Sequence, residues 1–230
     1  MQQIQELQPY YPMLCESHLF SDIRREDMDQ LLYCLKGRKK DFSDKEFILH
    51  AEDEHDEFGV VLEGTIQLIT EDMFGNRSIT AKLKEGEIFG QIAASGQAAF
   101  SPTSVVSDGP SAIMFLSFPL LVAPCTRACA FHSRIIENMM NVLAKRNLLM
   151  NQKVSILSQR TMREKLLAYL HIQSREQASD DFTIPFNRDE LADFLCVNRS
   201  ALSREITKMV EDGLIETHRK RFILNETTFF

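Results

Sequence analysis

Residues 187–221 read NRDELADFLCVNRSALSREITKMVEDGLIETHRKR, and few folds accommodate that run. Asn187 is a strong N-cap and Glu190 follows at the spacing of a capping box. Leu191, Ala192 and Leu195 then give a short helix one apolar face, and Cys196-Val197 makes a tight turn. Asn198 caps a second helix whose apolar residues Leu202, Ile206, Met209 and Val210 recur at helical spacing. Its other face carries Arg199, Ser200, Ser203, Arg204, Thr207 and Lys208, and Gly213 ends it. Two short helices, a tight turn and a small residue at their crossing describe a helix-turn-helix. Residues 214–224 fit a two-stranded wing, with His218, Arg219, Lys220 and Arg221 near its tip. This pattern points to double-stranded DNA; the plain alternative is helix packing with a solvated outer face.

Charge limits how such contact is made. The chain of 230 residues carries a net charge of −7. Residues 159–230 hold 11 Lys+Arg and 12 Asp+Glu, so they are not basic either. Contact with DNA must come from local placement of Arg and Lys rather than bulk attraction. No apolar run approaches the roughly 20 residues of a membrane span, so no membrane partner is expected. Residues 1–8 are polar and unlike a signal peptide. Five irregularly placed cysteines then read as cytosolic thiols, and a cytoplasmic protein is expected.

Upstream, the texture changes twice. Residues 1–18 are a polar lead-in, followed by a helical pattern through Ile23, Met28, Leu31, Leu32 and Leu35 that breaks at Gly37. Cys34, beside that stripe, reads as a small buried side chain. Short β-rich runs at 47–50, 58–62, 65–71, 78–83, 103–106 and 113–117 are separated by turn residues. This spacing predicts a jelly-roll-like β-sandwich, with Gly75-Asn76 as a hairpin turn. Residues 133–157 contain no Gly or Pro. They carry a heptad seam (Ser133, Met140, Asn147, Val154 with Ile136, Leu143, Met150, Leu157) and a second stripe (Ile135, Met139, Val142, Leu149, Ile156). One stripe suits a second copy of the chain and the other the β domain; the alternative is one helix buried on two sides. Thr161 and Glu164 form a capping-box pair opening another helix, 174–181 reads as a polar linker, and 182–186 as a short strand.

In this order the parts resemble the CRP/FNR family of bacterial transcription regulators. The most specific segments are KEGEIFGQIAASG at 84–96, LADFLCVNRSALSREI at 191–206 and VLEGTIQLITEDMFGNRS at 61–78. The resemblance implies an α+β chain in three parts. Residues 1–130 form an N-terminal jelly-roll sensor like a cyclic-nucleotide-binding domain, 131–158 a dimerisation helix, and 159–230 a winged helix-turn-helix. It also implies a homodimer on a palindromic site, with RNA polymerase as a further partner.

Cyclic-nucleotide-binding members hold the phosphate on backbone N–H groups after the equivalent of Phe89, with a Glu on the ribose and an Arg on the phosphate. Here Gly86, Glu87, Phe89 and Gly90 are in place, but Gln91 stands at the Glu position and Phe100-Ser101-Pro102-Thr103 offers no basic residue. Losing a charge-assisted pair costs a few kcal/mol, so an effector other than cyclic AMP is expected. The resemblance places it near Gly86, Glu87, Phe89, Gly90, Gln91, Ser101 and Thr103, facing Leu148 and Leu149. The N-terminal cysteine cluster of the family's iron–sulfur oxygen sensors is reduced to Cys15, and neither His50 nor His55 stands out as a haem ligand. No cofactor is assigned.

Cys125, Cys129 and His132 share a helical face and suit zinc or iron, and the thiols suit redox sensing. Small buried residues and a capping or surface histidine are the alternative. Cys196, in the tight turn, reads as structural. In the reading helix the resemblance implies DNA contacts from Asn198, Arg199, Ser200, Ser203, Arg204 and Lys208, with the two arginines suited to guanine or phosphate. Ser200 replaces a Glu, so the half-site should differ at that base pair. Glu205 stands where an apolar residue is usual, within reach of Arg204 or Lys208. A constitutive DNA-binding protein whose β domain only dimerises is a further alternative. No catalytic triad or carboxylate pair emerges, so enzymatic activity is not expected.

Overall fold

The computed structural model describes residues 2–51, 53–95, 103–123 and 130–225. It begins with helices α1 (Gln2–Gln5), α2 (Tyr11–Glu16) and α3 (Met28–Cys34), where the sequence suggests only a polar lead-in before α3. Leu7, Tyr11, Leu14, Leu19 and Phe20 are all buried there. Their spacing is too broken by Pro9 and Pro12 to show a stripe in the sequence.

The β domain follows as β1 (Arg38–Phe42), β2 (Phe47–Leu49), β3 (Glu57–Glu63), β4 (Thr65–Glu71), β5 (Arg77–Lys84), β6 (Ile88–Phe89), β7 (Ser104–Ser107) and β8 (Ser111–Ser117). A short helix α4 (Gln91–Ala94) lies between β6 and β7, and α5 (Phe118–Val122) follows β8. Two antiparallel sheets result, ordered β1-β8-β3-β6 and β2-β7-β4-β5. Strands β1 and β6 are not evident in the sequence, because RKKDF is polar and IF is only two residues long.

Strands β3 and β8 are buried on both faces, which explains their unbroken apolar runs. Side chains alternate along a strand. Phe58, Val60 and Leu62, with Ala112, Met114 and Leu116, join the core shared with the N-terminal helices and the first half of the long helix. Val61, Ile113 and Phe115 instead join Phe42, Ile66, Leu68, Leu83 and Phe89 in a second core. Gly59 belongs to the second set: a Cβ there would lie 2.1 Å from the Phe89 ring.

The long helix α6 spans Ala130–Leu157. Ile135, Met139 and Ile156 of its second stripe are buried, whereas Met140 and Val154 of the heptad seam are 63% and 62% exposed. The chain forms two compact units, one of residues 1–70 and 80–146, the other of 71–79 and 147–230.

In the second unit, α7 (Met162–Gln177) opens on the Thr161–Glu164 capping box. It runs on through residues 174–177, so the polar linker is shorter than its composition suggests; left-handed Ala178 ends it. Strand β9 (Asp181–Thr183), α8 (Arg188–Leu195), α9 (Arg199–Glu211), β10 (Ile215–His218) and β11 (Arg221–Leu224) complete the unit. The sheet order β10-β11-β9 gives a wing of three strands rather than two.

Candidate nucleic-acid interface and sensor site

Helix α8 is capped by Asn187, whose side chain accepts from Asp189 and Glu190 N–H groups, and Glu190 completes the box. Cys196 then turns the chain at φ 54°, a left-handed cap usually taken by Gly or Asn. Asn198 restarts it: its Oδ1 accepts from the backbone N–H of Ser200 (3.0 Å) and Ala201 (3.3 Å) and from the Ser200 hydroxyl (2.6 Å). Two candidate DNA contacts, Asn198 and Ser200, are thus also the cap that orients α9. Leu202, Ile206 and Met209 are buried, while Arg199, Ser203, Arg204 and Lys208 are exposed on the other side.

Not all the positive charge is free. Arg199 Nε lies 2.5 Å from Asp189 Oδ1, so the first of the two candidate contact arginines is tied to α8. At the wing, Arg221 pairs with Asp181 on β9, and Lys220 Nζ donates to the Pro185 carbonyl at 3.0 Å. Only His218 and left-handed Arg219 then remain at the tip without a described partner. Glu205 is explained by a residue far away in sequence: Arg163 on α7 lies 2.6 Å from it and 2.7 Å from Asp212. Neither Arg204 nor Lys208 is its partner. Hydrogen bonds to Glu205 and then Asp212 hold the Arg163 guanidinium above its ordinary pKa. Arg188 is the reverse case, lowered by burial. Its guanidinium sits 4.8 Å from the Phe222 ring centre and donates to Thr217 Oγ1 at 2.7 Å, joining α8 to the wing.

The tip of the β4–β5 hairpin, residues Glu71–Ile79, belongs to this second unit. Asp72 organises its turn, accepting from Phe74 N, Asn76 N and Asn76 Nδ2. Ser78 Oγ lies 3.3 Å from the Asp193 carbonyl and 3.2 Å from Cys196 Sγ. Cys196 is exposed, so it is a backbone cap rather than a core residue. Lys153 Nζ donates to the Ile79 carbonyl and sits 4.4 Å from the Phe194 ring centre. Burial lowers its pKa to about 8.

In the first unit, Gly86 and Gly90 both have positive φ, 81° and 79°. Glycine is needed at 90 for its positive φ, and a Cβ there would also press to 3.1 Å on the end of the Leu49 side chain. Phe89 is fully buried, edge-on to Phe115, and anchors this segment in the second core. Glu87 accepts from the Lys84 N–H and so closes its own turn. Gln91 is buried, Thr103 half-buried, and Leu148 64% exposed. Ser101 lies outside the described residues, as do Cys125 and Cys129.

The sequence does not single out Arg146. It is half-buried on α6, and its Nη1 donates to the Ile88 carbonyl at 3.1 Å, beside this glycine-bearing segment. Burial lowers its pKa and Glu87 opposes that. A heptad reading treats it as one more surface position. His132 is buried rather than capping or superficial: its Nε2 donates to the Leu121 carbonyl at 2.8 Å, and its buried Nδ1 has no partner among the described residues.

This arrangement defines a sensor-like β domain joined by a long helix to a winged helix-turn-helix. The chain belongs to the CRP/FNR family of bacterial transcription regulators. The cyclic nucleotide-binding domain matches residues 39–121 and the Crp-like helix-turn-helix domain residues 164–228. The nitrogen fixation regulation protein FixK of Bradyrhizobium diazoefficiens is 28% identical over 191 residues, which cover 78% of this chain and 74% of that protein. Among solved structures, the c-di-GMP-responsive global regulator CLP of Xanthomonas campestris superposes with a TM-score of 0.69. It is 18% identical and the match covers 85% of this chain and 97% of CLP. FixK2 of Bradyrhizobium japonicum gives 0.62 at 14% identity, covering 84% and 94%. The chain is therefore a DNA-binding transcription regulator with a cyclic-nucleotide-binding-like sensor domain. Among the described residues, no helix is long and apolar enough to cross a membrane.

Proposed function

We propose that this regulator acts as a cytoplasmic homodimer that reads a palindromic site with α9 and answers to a small-molecule effector other than cyclic AMP. The observation that carries the DNA reading is the two-sidedness of α9. Arg199, Ser203, Arg204 and Lys208 line a capped, exposed face, and Leu202, Ile206 and Met209 fix the opposite face in the core. With Asn198 and Ser200 at its N-terminus, this face suits the major groove. Exposed Met140 and Val154 on the heptad seam support pairing of α6 with a second copy. The protein acts by binding rather than catalysis, with RNA polymerase as the partner that its promoter complex meets.

The candidate effector residues are those the family resemblance names, Gly86, Glu87, Phe89, Gly90, Gln91, Ser101, Thr103 and Leu148; of these, Gly86, Glu87, Phe89, Gly90, Gln91 and Thr103 are described residues of the first unit. Buried Gln91 in place of a carboxylate, and a basic residue supplied by Arg146 on α6, favour an anionic ligand unlike cyclic AMP. Its binding shifts α6 between two packings and so respaces the paired reading helices.

A second signal is supported by His132. Its buried Nδ1, without a hydrogen-bond partner among the described residues, offers a lone pair suited to a metal. Cys125 and Cys129 are its candidate co-ligands or redox partners. Native mass spectrometry of protein purified without oxygen tests both readings. A dimer with the added mass of an organic ligand supports the pocket; one with the mass of a metal ion, lost in Cys125→Ser, supports the thiols. A bare monomer contradicts the homodimer.

A further inference from the structure

A recess of about 320 Å³ lies between residues 18–22 and the first half of α6, lined by none of the candidate effector residues. That volume is at the lower end of the range of small-molecule sites. Its back wall is built. Asn138 is 5% exposed, and its Nδ2 donates to the Leu19 carbonyl (2.9 Å) and the Ser21 carbonyl (2.7 Å). Both amide hydrogens are spent on fixing the loop, which leaves Asn138 Oδ1 as the acceptor available from this side chain.

Opposite charges flank this acceptor without neutralising each other. Asp22, held at φ 60°, has no ion-pair partner among the described residues. Lys145 Nζ lies 3.0 Å from His18 Nε2 and has no carboxylate paired with it among the described residues. Arg134, at the rim, is already paired with Glu137 at 3.0 Å and contributes little net charge. Asn141 adds an amide. A plain anion meets repulsion from Asp22, and a plain cation from Lys145. A molecule bearing both charges a few ångströms apart satisfies both, with its ammonium on Asp22 and Asn138 Oδ1 and its carboxylate on Lys145 and Asn141.

We infer that this recess is a binding site for a small zwitterion of the amino-acid class, separate from the effector pocket. The recess residues Asn138, Asn141 and Lys145 fall off the heptad seam of Met140, Leu143 and Asn147, so the site stays open when α6 pairs.

Isothermal titration calorimetry of the full chain with glycine, L-glutamine and succinate tests this. Saturable binding of an amino acid, weak or absent binding of succinate, and a loss of about tenfold in both Asp22→Asn and Lys145→Met are expected. Both side chains are on the surface, so the variants should keep the wild-type melting temperature and DNA affinity without probe. No saturable binding of either amino acid overturns the proposal, as does binding that neither variant weakens. Succinate binding as tightly as the amino acids overturns the zwitterion assignment.

Discussion

Arg163 on α7 holds Glu205 on α9, with its Nε 2.6 Å from the Glu205 carboxylate and its Nη1 2.7 Å from Asp212. A single guanidinium thus neutralises two carboxylates beside the proposed DNA-contacting face of α9. Replacing Arg163 by Ala should cost little stability, about 1 kcal/mol or less, because the pair is partly solvated. It should weaken DNA binding by more than that cost implies, since two carboxylates are left to repel phosphate. Salt titration of affinity by fluorescence anisotropy separates the two effects. A melting temperature lowered with no change in DNA affinity would confine Arg163 to a structural role.

The Arg199–Asp189 pair makes the opposite forecast. Arg199 must leave or share Asp189 to reach a base, and an exposed pair of this kind is worth about 0–1 kcal/mol. Asp189→Asn should therefore tighten binding to nonspecific DNA by up to about fivefold and narrow the gap to the specific site. Competition assays with specific and random duplexes measure this. A wider gap in the variant would mean that Asp189 orients Arg199 productively.

Lys153 predicts a pH dependence. Its pKa is near 8 in the folded chain against an ordinary value of 10.5. Below pH 8 both folded and unfolded chains carry the proton, and burial of the charge penalises the fold. Between about pH 8 and 10.5 the unfolded chain binds more protons, so stability should rise with pH across that window. Lys153→Met should be more stable than wild type at pH 7 and should flatten the rise. Thermal unfolding from pH 7 to 10 reports it, and parallel curves for the two proteins would contradict the assignment.

Gly59 lies beneath the Phe89 ring with no room for a methyl group. Gly59→Ala should destabilise the β domain by about 1–3 kcal/mol, and pairing it with Phe89→Leu should recover part of the loss. Urea unfolding of the single and double variants checks this. Additive losses would show that the two residues do not share a cavity.

Periodicity carried much of this architecture into view. The capped helices at Asn187 and Asn198 are legible because capping is chemistry between residues two or three apart. The six main strand runs are legible because β3 and β8, buried on both faces, admit no polar residue in their centres. Strand β1 is not, since RKKDF puts charged ends in solvent and offers only Phe42 to the core. The site is less legible for a related reason. Glu205 looks misplaced until α7 brings Arg163 across 42 positions. Arg221 looks free until β9 brings Asp181. Arg146 and His132 acquire meaning only from the carbonyls and unpartnered nitrogen around them.

Selection of binding sites from a random duplex library tests the central claim most directly. Wild-type protein should enrich an inverted repeat with half-site centres about one helical turn apart, and Arg204→Ala should lose preference at one symmetric base pair while keeping the rest. An unenriched library, or a motif that Arg199→Ala and Arg204→Ala both leave unchanged, would contradict the assignment of α9 as the reading helix.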